Sequence, residues 1–219
     1  MDINGENALK FFGKMTASIS HEVKNVLAII NENAGLLEDL CAIAERGKPV
    51  DPARIKTAAG KVIKQVKRGD EIIRRLNSFA HSADESVCDV DLCEAIKLVS
   101  GLSGRIALMC GICLETDQMP DPIIVNTNPF LLETLVWLCL DYSMDAAGDE
   151  KRVGISAERL KNKAIVRFSG LKGLAGILSD KFPGEPEKSL LAALNATAAV
   201  DIAAGEIIIT LISGTCNYH

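Results

Sequence analysis

Aromatic side chains are scarce: six Phe, two Tyr and one Trp make up 4% of the 219 residues. The core must therefore be aliphatic, which favours helices packed through Leu, Ile, Val and Ala. No apolar run approaches the roughly 18–20 residues of a membrane span. The opening stretch MDINGENALK lacks the basic-then-apolar pattern of a signal peptide, so a cytoplasmic location is expected. Positive charge is not in excess either. The formal net charge is −5, which gives no general case for nucleic-acid binding. Seven cysteines form no framework, being odd in number and scattered. Cys110 and Cys113 make a lone C-x-x-C without a second pair at zinc-ribbon spacing, and Cys88 and Cys93 stand near a domain boundary. They read as small buried hydrophobes in a reducing compartment, and no metal is expected.

What is present is a globular composition, 48% hydrophobic and 24% charged. It is divided into two halves with different periodicity. In residues 8–82, Phe12, Ile19, Val26, Asn33 and Leu40 repeat every seven, as do Thr16, Val23, Ile30 and Leu37. Together they step by four and three, the spacing of a coiled-coil seam. Arg46-Gly47 marks a helix end, and Asp51-Pro52 an N-cap followed by proline at the first helical position. Ile55, Ala59, Val62, Val66, Gly69, Ile73, Leu76 and Ala80 give the second helix a similar seam. This predicts an antiparallel hairpin with arms of about 45–60 Å at roughly 1.5 Å per residue. A lone hairpin buries one seam. Two hairpins related by a two-fold axis bury the rest, so a homodimeric four-helix bundle is expected.

After a polar linker at 83–89 the chain mixes helices and strands. Helices are predicted at about 91–101, 128–147 and 186–204, and a Pro-rich turn at Met119–Pro122. Strands are predicted around Ile112–Thr116, Val153–Glu158, Ala164–Phe168 and Glu206–Ile212. The fold class is thus α plus α/β, with domains at 1–83 and 84–219.

His21 sits between the seam positions Ile19 and Val23 and so faces outward. Glu22 is its neighbour, and Asn25 lies one turn on. A carboxylate beside an imidazole can take the proton from one ring nitrogen and leave the other free to attack phosphorus. The amide can position the incoming group or a water. Asn at position 25 also excludes the H-E-x-x-H pattern of a zinc protease.

The segment FFGKMTASISHEVKNVLAIINENAGLLEDL resembles the dimerisation and histidine-phosphotransfer helix of two-component sensor histidine kinases. Ser20-His21-Glu22, Asn25, Leu27 and Ile30 match in place, and RRLNSFAHS is similar to the end of that family's second helix. The resemblance implies a fold in which residues 84–219 follow the α/β sandwich of the kinase ATPase domain. Val90-Asp91-Leu92 opens this half as the family does, and NPFLLETLVWLCLDYSMDAA follows its long helix. The nucleotide motifs do not follow. The Asn that helps hold Mg²⁺ and phosphate in the family falls on Tyr142, and the adenine-reading Asp on Ser169, before Gly170 and Gly173. No glycine occurs from Glu185 to Ala204, where a phosphate cradle should lie. The pattern resembles dimeric histidine phosphotransferases descended from kinases.

The expected activity is phosphoryl transfer between receiver-domain aspartates through His21, with Glu22 and Asn25 assisting. No cofactor is expected in the chain itself, Mg²⁺ being supplied by the receiver. The expected partners are response-regulator receiver domains, with a hybrid kinase as a further candidate. Residues 52–82 carry eight basic side chains against two acidic ones, a net of +6. Lys24, Lys64, Lys67 and Arg68 are the candidates for steering an acidic receiver onto the bundle. No aromatic stacking residues accompany this face, which argues against nucleic acid. The alternatives are an active kinase, a phosphatase for one regulator, or a non-catalytic dimeric adaptor that inhibits a kinase.

Overall fold

The computed structural model describes residues 3–117, 121–176 and 182–212. Contacts divide the chain into two compact units: Thr16–Asn77, and Met1–Met15 together with Ser78–His219. Both long helices therefore run from one unit into the other.

The first unit is the hairpin. Helix α1 spans Ile3–Glu45 and α2 Pro52–Ser82. Gly47 ends α1 in the left-handed region at φ 70°, its N–H donating to the carbonyl of Ala44. Asp51 caps α2 by accepting from the N–H of Ala53 at 2.9 Å. In α1, Ile19, Val26, Asn33 and Leu40 are buried, and the intervening Val23, Ile30 and Leu37 are half-buried. The predicted row faces α2.

On α2 the row differs from expectation. Ala58 and Ile72 are buried and Gln65 is half-buried between them, again every seven residues. Val62, Gly69 and Leu76 share the face as half-buried residues, whereas Ile55, Val66 and Ile73 are exposed, as is Ile63. The apolar arc of α2 is wider than one seam, so sequence spacing alone selects the wrong edge of it. Gly69 lies opposite Val26, whose Cγ1 would be 3.5 Å from an added Cβ.

The second unit is an α/β sandwich. A two-stranded antiparallel ribbon pairs β1 (Cys88–Asp91) with β3 (Ile124–Thr127). A five-stranded mixed sheet has the order β2-β4-β5-β7-β6, with β2 at Cys113–Thr116, β4 at Arg152–Leu160, β5 at Lys163–Ser169, β6 at Thr197–Asp201 and β7 at Glu206–Ile212. Only β2 and β4 are parallel. Val153, Ile155, Val166, Phe168, Ile207 and Ile209 alternate onto one buried face, the period-2 signature of a half-covered sheet. Helices α3 (Leu92–Met109), α4 (Pro129–Asp145) and α5 (Glu185–Ala193) contact the sheet. Asn128 caps α4 by accepting from Leu131 N–H at 2.8 Å, with Pro129 in the first turn as expected.

Three expectations need correction. α3 continues to Met109, and β1 begins within the expected linker. The predicted helix at 186–204 stops at Ala193 and is followed by β6. Asn195, at φ 49°, turns the chain, and Thr197–Asp201 then pairs with β7. The helix-prone alanines there are overridden by a free sheet edge. Met119 and Pro120 of the predicted turn lie outside the described residues. Of the cysteines, Cys93 and Cys139 are buried as expected, but Cys41, Cys110 and Cys113 are exposed.

Candidate functional site

Because Ile19 and Val26 hold one face of α1 against α2, His21 is carried on the opposite face, where it is exposed. Lys24 and Asn25 are exposed on the turn that follows. Glu22 is different: its side chain is only 17% exposed and lies 3.6 Å from the guanidinium of Arg68 on α2. The carboxylate beside the imidazole is thus shared between helices. Arg68 is partly exposed, so the pair contributes at most about 1 kcal/mol of stability. Its consequence is positional, since it restrains the Glu22 side chain. Lys64 and Lys67 are both exposed, and Lys64 also lines the groove between the two helices.

In the α/β unit, the positions aligned with nucleotide motifs do other work. Tyr142 packs on Phe182 with ring centroids 4.8 Å apart. Burial and the nearby Glu187 carboxylate push its phenol pKa up. Ser169 ends β5 with its hydroxyl over Gly154 of the paired strand, where an added Cβ would be 2.5 Å from Oγ. Gly170 adopts φ 82°, and Gly173 is so close to α4 that an added Cβ would lie 2.9 Å from the carbonyl of Ala146. The N–H of Gly173 donates to that carbonyl at 2.8 Å. Both glycines are therefore required by chain packing.

The N-terminus of α5 carries Glu185 and Glu187 in its first turn. Carboxylates there suit the positive end of the helix dipole and repel a phosphate from the same place. Among the described residues no group of three or more His, Cys, Asp or Glu could hold a metal ion. No described helix is long and apolar enough to cross a membrane.

One constellation escapes sequence reading. Five of the nine aromatic residues meet where the start of α1 and the end of α2 pack on α4. Phe11 touches Phe79, Phe130 and Trp137 with centroid separations of 5.0, 6.2 and 5.9 Å. Lys14 lies 4.6 Å over the Trp137 ring and 2.9 Å from Asp141. Glu133, one turn before Trp137, is buried and shares a 2.7 Å hydrogen bond with the Ser82 hydroxyl. Burial pushes its pKa up to about 7 against the lowering effect of that bond. The only sequence signal is the polar pair Glu133 and Asp141 flanking Trp137 on one face of an otherwise apolar helix.

No protein-family model matches this sequence, and no curated protein matches it. Solved structures similar to the chain are histidine kinase segments. The Acinetobacter baumannii histidine kinase AdeS is 15% identical, covering 84% of this chain and 96% of its own, with a TM-score of 0.48. The catalytic domain of histidine kinase ThkA is 15% identical over 59% of this chain and 98% of its own, with a TM-score of 0.48. Histidine kinase ThkA in complex with response regulator protein TrrA is 17% identical over 94% of this chain and 63% of its own, with a TM-score of 0.47.

Proposed function

We propose that this protein is a dimeric histidine phosphotransferase that moves phosphoryl groups between receiver-domain aspartates through His21. Residues 1–83 serve as the dimerisation and phosphotransfer hairpin, and residues 84–219 as a scaffold that no longer binds ATP. The observation that carries the reading is an exposed His21 on a long helical hairpin, inside a Ser-His-Glu-x-x-Asn sequence, followed by a Glu22 that pairs with Arg68 of α2.

The chemistry is a reversible exchange. A ring nitrogen of His21 attacks the phosphorus of a receiver aspartyl phosphate. The P–N bond forms as the P–O bond to the aspartate breaks, and the carboxylate leaves with the electron pair. Glu22 accepts the proton from the other ring nitrogen as positive charge develops on the ring, and returns it in the reverse step. A second receiver aspartate reverses the step. The receiver supplies the Mg²⁺ that neutralises the phosphoryl oxygens. Lys24 and Lys67 are exposed cations of the hairpin and steer the acidic receiver, with Arg68 contributing what its pairing with Glu22 leaves free. Lys64, exposed at the rim of the groove between the helices, belongs to the same docking set.

Incubation with a phosphorylated receiver should leave an acid-labile, base-stable label on this protein, passed on when a second receiver is added. An unlabelled protein across a panel of candidate receivers would sink the reading. Calorimetry should detect no binding of Mg-ATP at millimolar concentration, an expectation supported by Tyr142 and Ser169 at the positions of the family's Asn and Asp and by the absence of glycine from Glu185 to Ala204. Saturable binding with autophosphorylation would instead make the protein a kinase.

The exposed Leu27, Ile55, Ile63, Val66 and Ile73 motivate the dimer. Sedimentation at micromolar concentration should give a two-chain species. A monodisperse single chain would refute the four-helix-bundle assignment.

A further inference from the structure

The hairpin has a polar layer with one acceptor, Gln65 Oε1, that finds no partner among the described residues. Asn33 occupies the buried row of α1 at 6% exposure, among Val26 and Leu40. Its Nδ2 turns back to donate to the carbonyl of Ile29 at 2.7 Å. Gln65 occupies the matching row of α2, between Ala58 and Ile72, and its Oε1 is buried with no hydrogen-bond partner among the described residues. Both residues line one groove of about 860 Å³ between the helices. An unpartnered buried carbonyl of this kind costs about 1–3 kcal/mol, so a donor supplied by a second chain stabilises it.

The rim of the groove indicates what supplies that donor. Glu32, Glu38 and Asp39 line it from α1, and Lys61 and Lys64 from α2. None of these five makes an ion pair among the described residues of the chain. A surface with an acidic edge and a basic edge side by side is complementary to itself. Rotation about a two-fold axis along the hairpin sets the acidic edge of one copy against the basic edge of the other. The same operation brings the two Asn33 side chains into one bundle interior, and likewise the two Gln65 side chains, each amide offering donors as well as an acceptor.

We infer that Asn33 and Gln65 form a polar layer completed only by a second copy of this chain, and that this layer fixes which chains pair and in what register. The inference rests on the dimer proposed above and adds the residues that choose the partner. A buried amide in an apolar seam weakens pairing and narrows it, because a partner with leucine at that level leaves the amide unsatisfied.

The test mixes tagged wild type with the N33L/Q65L variant and measures the share of mixed dimers after exchange. Each homodimer should form, the variant at least as tightly as wild type. Mixed dimers should fall about tenfold or more below their statistical share, the size expected for a stranded buried amide. Gln65→Glu provides a second variant whose fold is not in question at low pH. Its dimer should persist at pH 4 and weaken by about tenfold or more by pH 7, as a carboxylate forms in the layer. Statistical mixing together with a pH-independent Gln65→Glu dimer overturns the polar layer and leaves the dimer standing. A monomeric wild-type protein overturns both.

Discussion

His21→Ala is expected to abolish phosphoryl uptake from a phosphorylated receiver while leaving the fold intact. The side chain is exposed on the face of α1 away from α2, so its removal creates no cavity. Surface substitutions of this kind usually change stability by no more than about 0.5 kcal/mol, and alanine is the better helix former. Thermal melts of variant and wild type should therefore nearly superimpose. Glu22→Gln keeps the shape but removes the negative charge, and it also releases Arg68 from its 3.6 Å pairing. Transfer should slow by about 10²–10⁴-fold, the range typical of losing a positioned acid–base group. Arg68→Gln should give a smaller loss in the same direction, since Glu22 then keeps its charge but loses its restraint. If the His21→Ala protein takes up label as well as wild type, the phosphoryl group travels by another residue.

Stability should fall as pH rises through neutrality, and Glu133 should be the cause. The Glu133 carboxyl is buried beside Ser82, and its pKa is pushed up to about 7. The unfolded chain titrates near the ordinary value of about 4.3. The native state thus binds this proton more tightly. Its stabilising contribution is complete below the unfolded pKa and is lost as pH rises through about 7. The full shift corresponds to about 3.5 kcal/mol.

Hydrogen-bond geometry supports the protonated form independently. The Ser82 hydroxyl lies 2.8 Å from the carbonyl of Phe79 and 2.7 Å from Glu133 Oε2, yet it has one proton to donate. Both contacts hold at once when Ser82 donates to Phe79 and a protonated Glu133 donates to Ser82. Ionised Glu133 competes for the Ser82 proton and leaves the carbonyl of Phe79 without it. Urea titrations between pH 5 and pH 8 should show this loss in wild type. In Glu133→Gln, which is neutral throughout, the loss should be absent. Parallel pH profiles for the two proteins would remove Glu133 from the account.

Much of the hairpin is decided by sequence because its determinants are local. The seven-residue row Ile19, Val26, Asn33, Leu40 fixes the inward face of α1, and that alone puts His21 outward, whatever α1 packs against. Gly47, Asp51 and Asn128 end or start helices through their own backbone preferences and caps.

The tertiary structure decided what depends on distant partners. Helix α2 carries more apolar surface than one seam, so only contact with α1 selects the Ala58, Gln65, Ile72 row over the Ile55, Val66, Ile73 row. Thr197–Asp201 becomes a strand because β7 offers an unpaired edge, against the helix preference of its alanines. Ser82 and Glu133 are 51 residues apart in sequence, and neither predicts the other. Glu22 meets Arg68 through the register of two antiparallel helices. Periodicity and capping act within a few residues of chain, so the sequence displays them directly. Burial, pairing and proton affinity are set by whichever groups the folded chain brings together, and those are settled only by the packing itself.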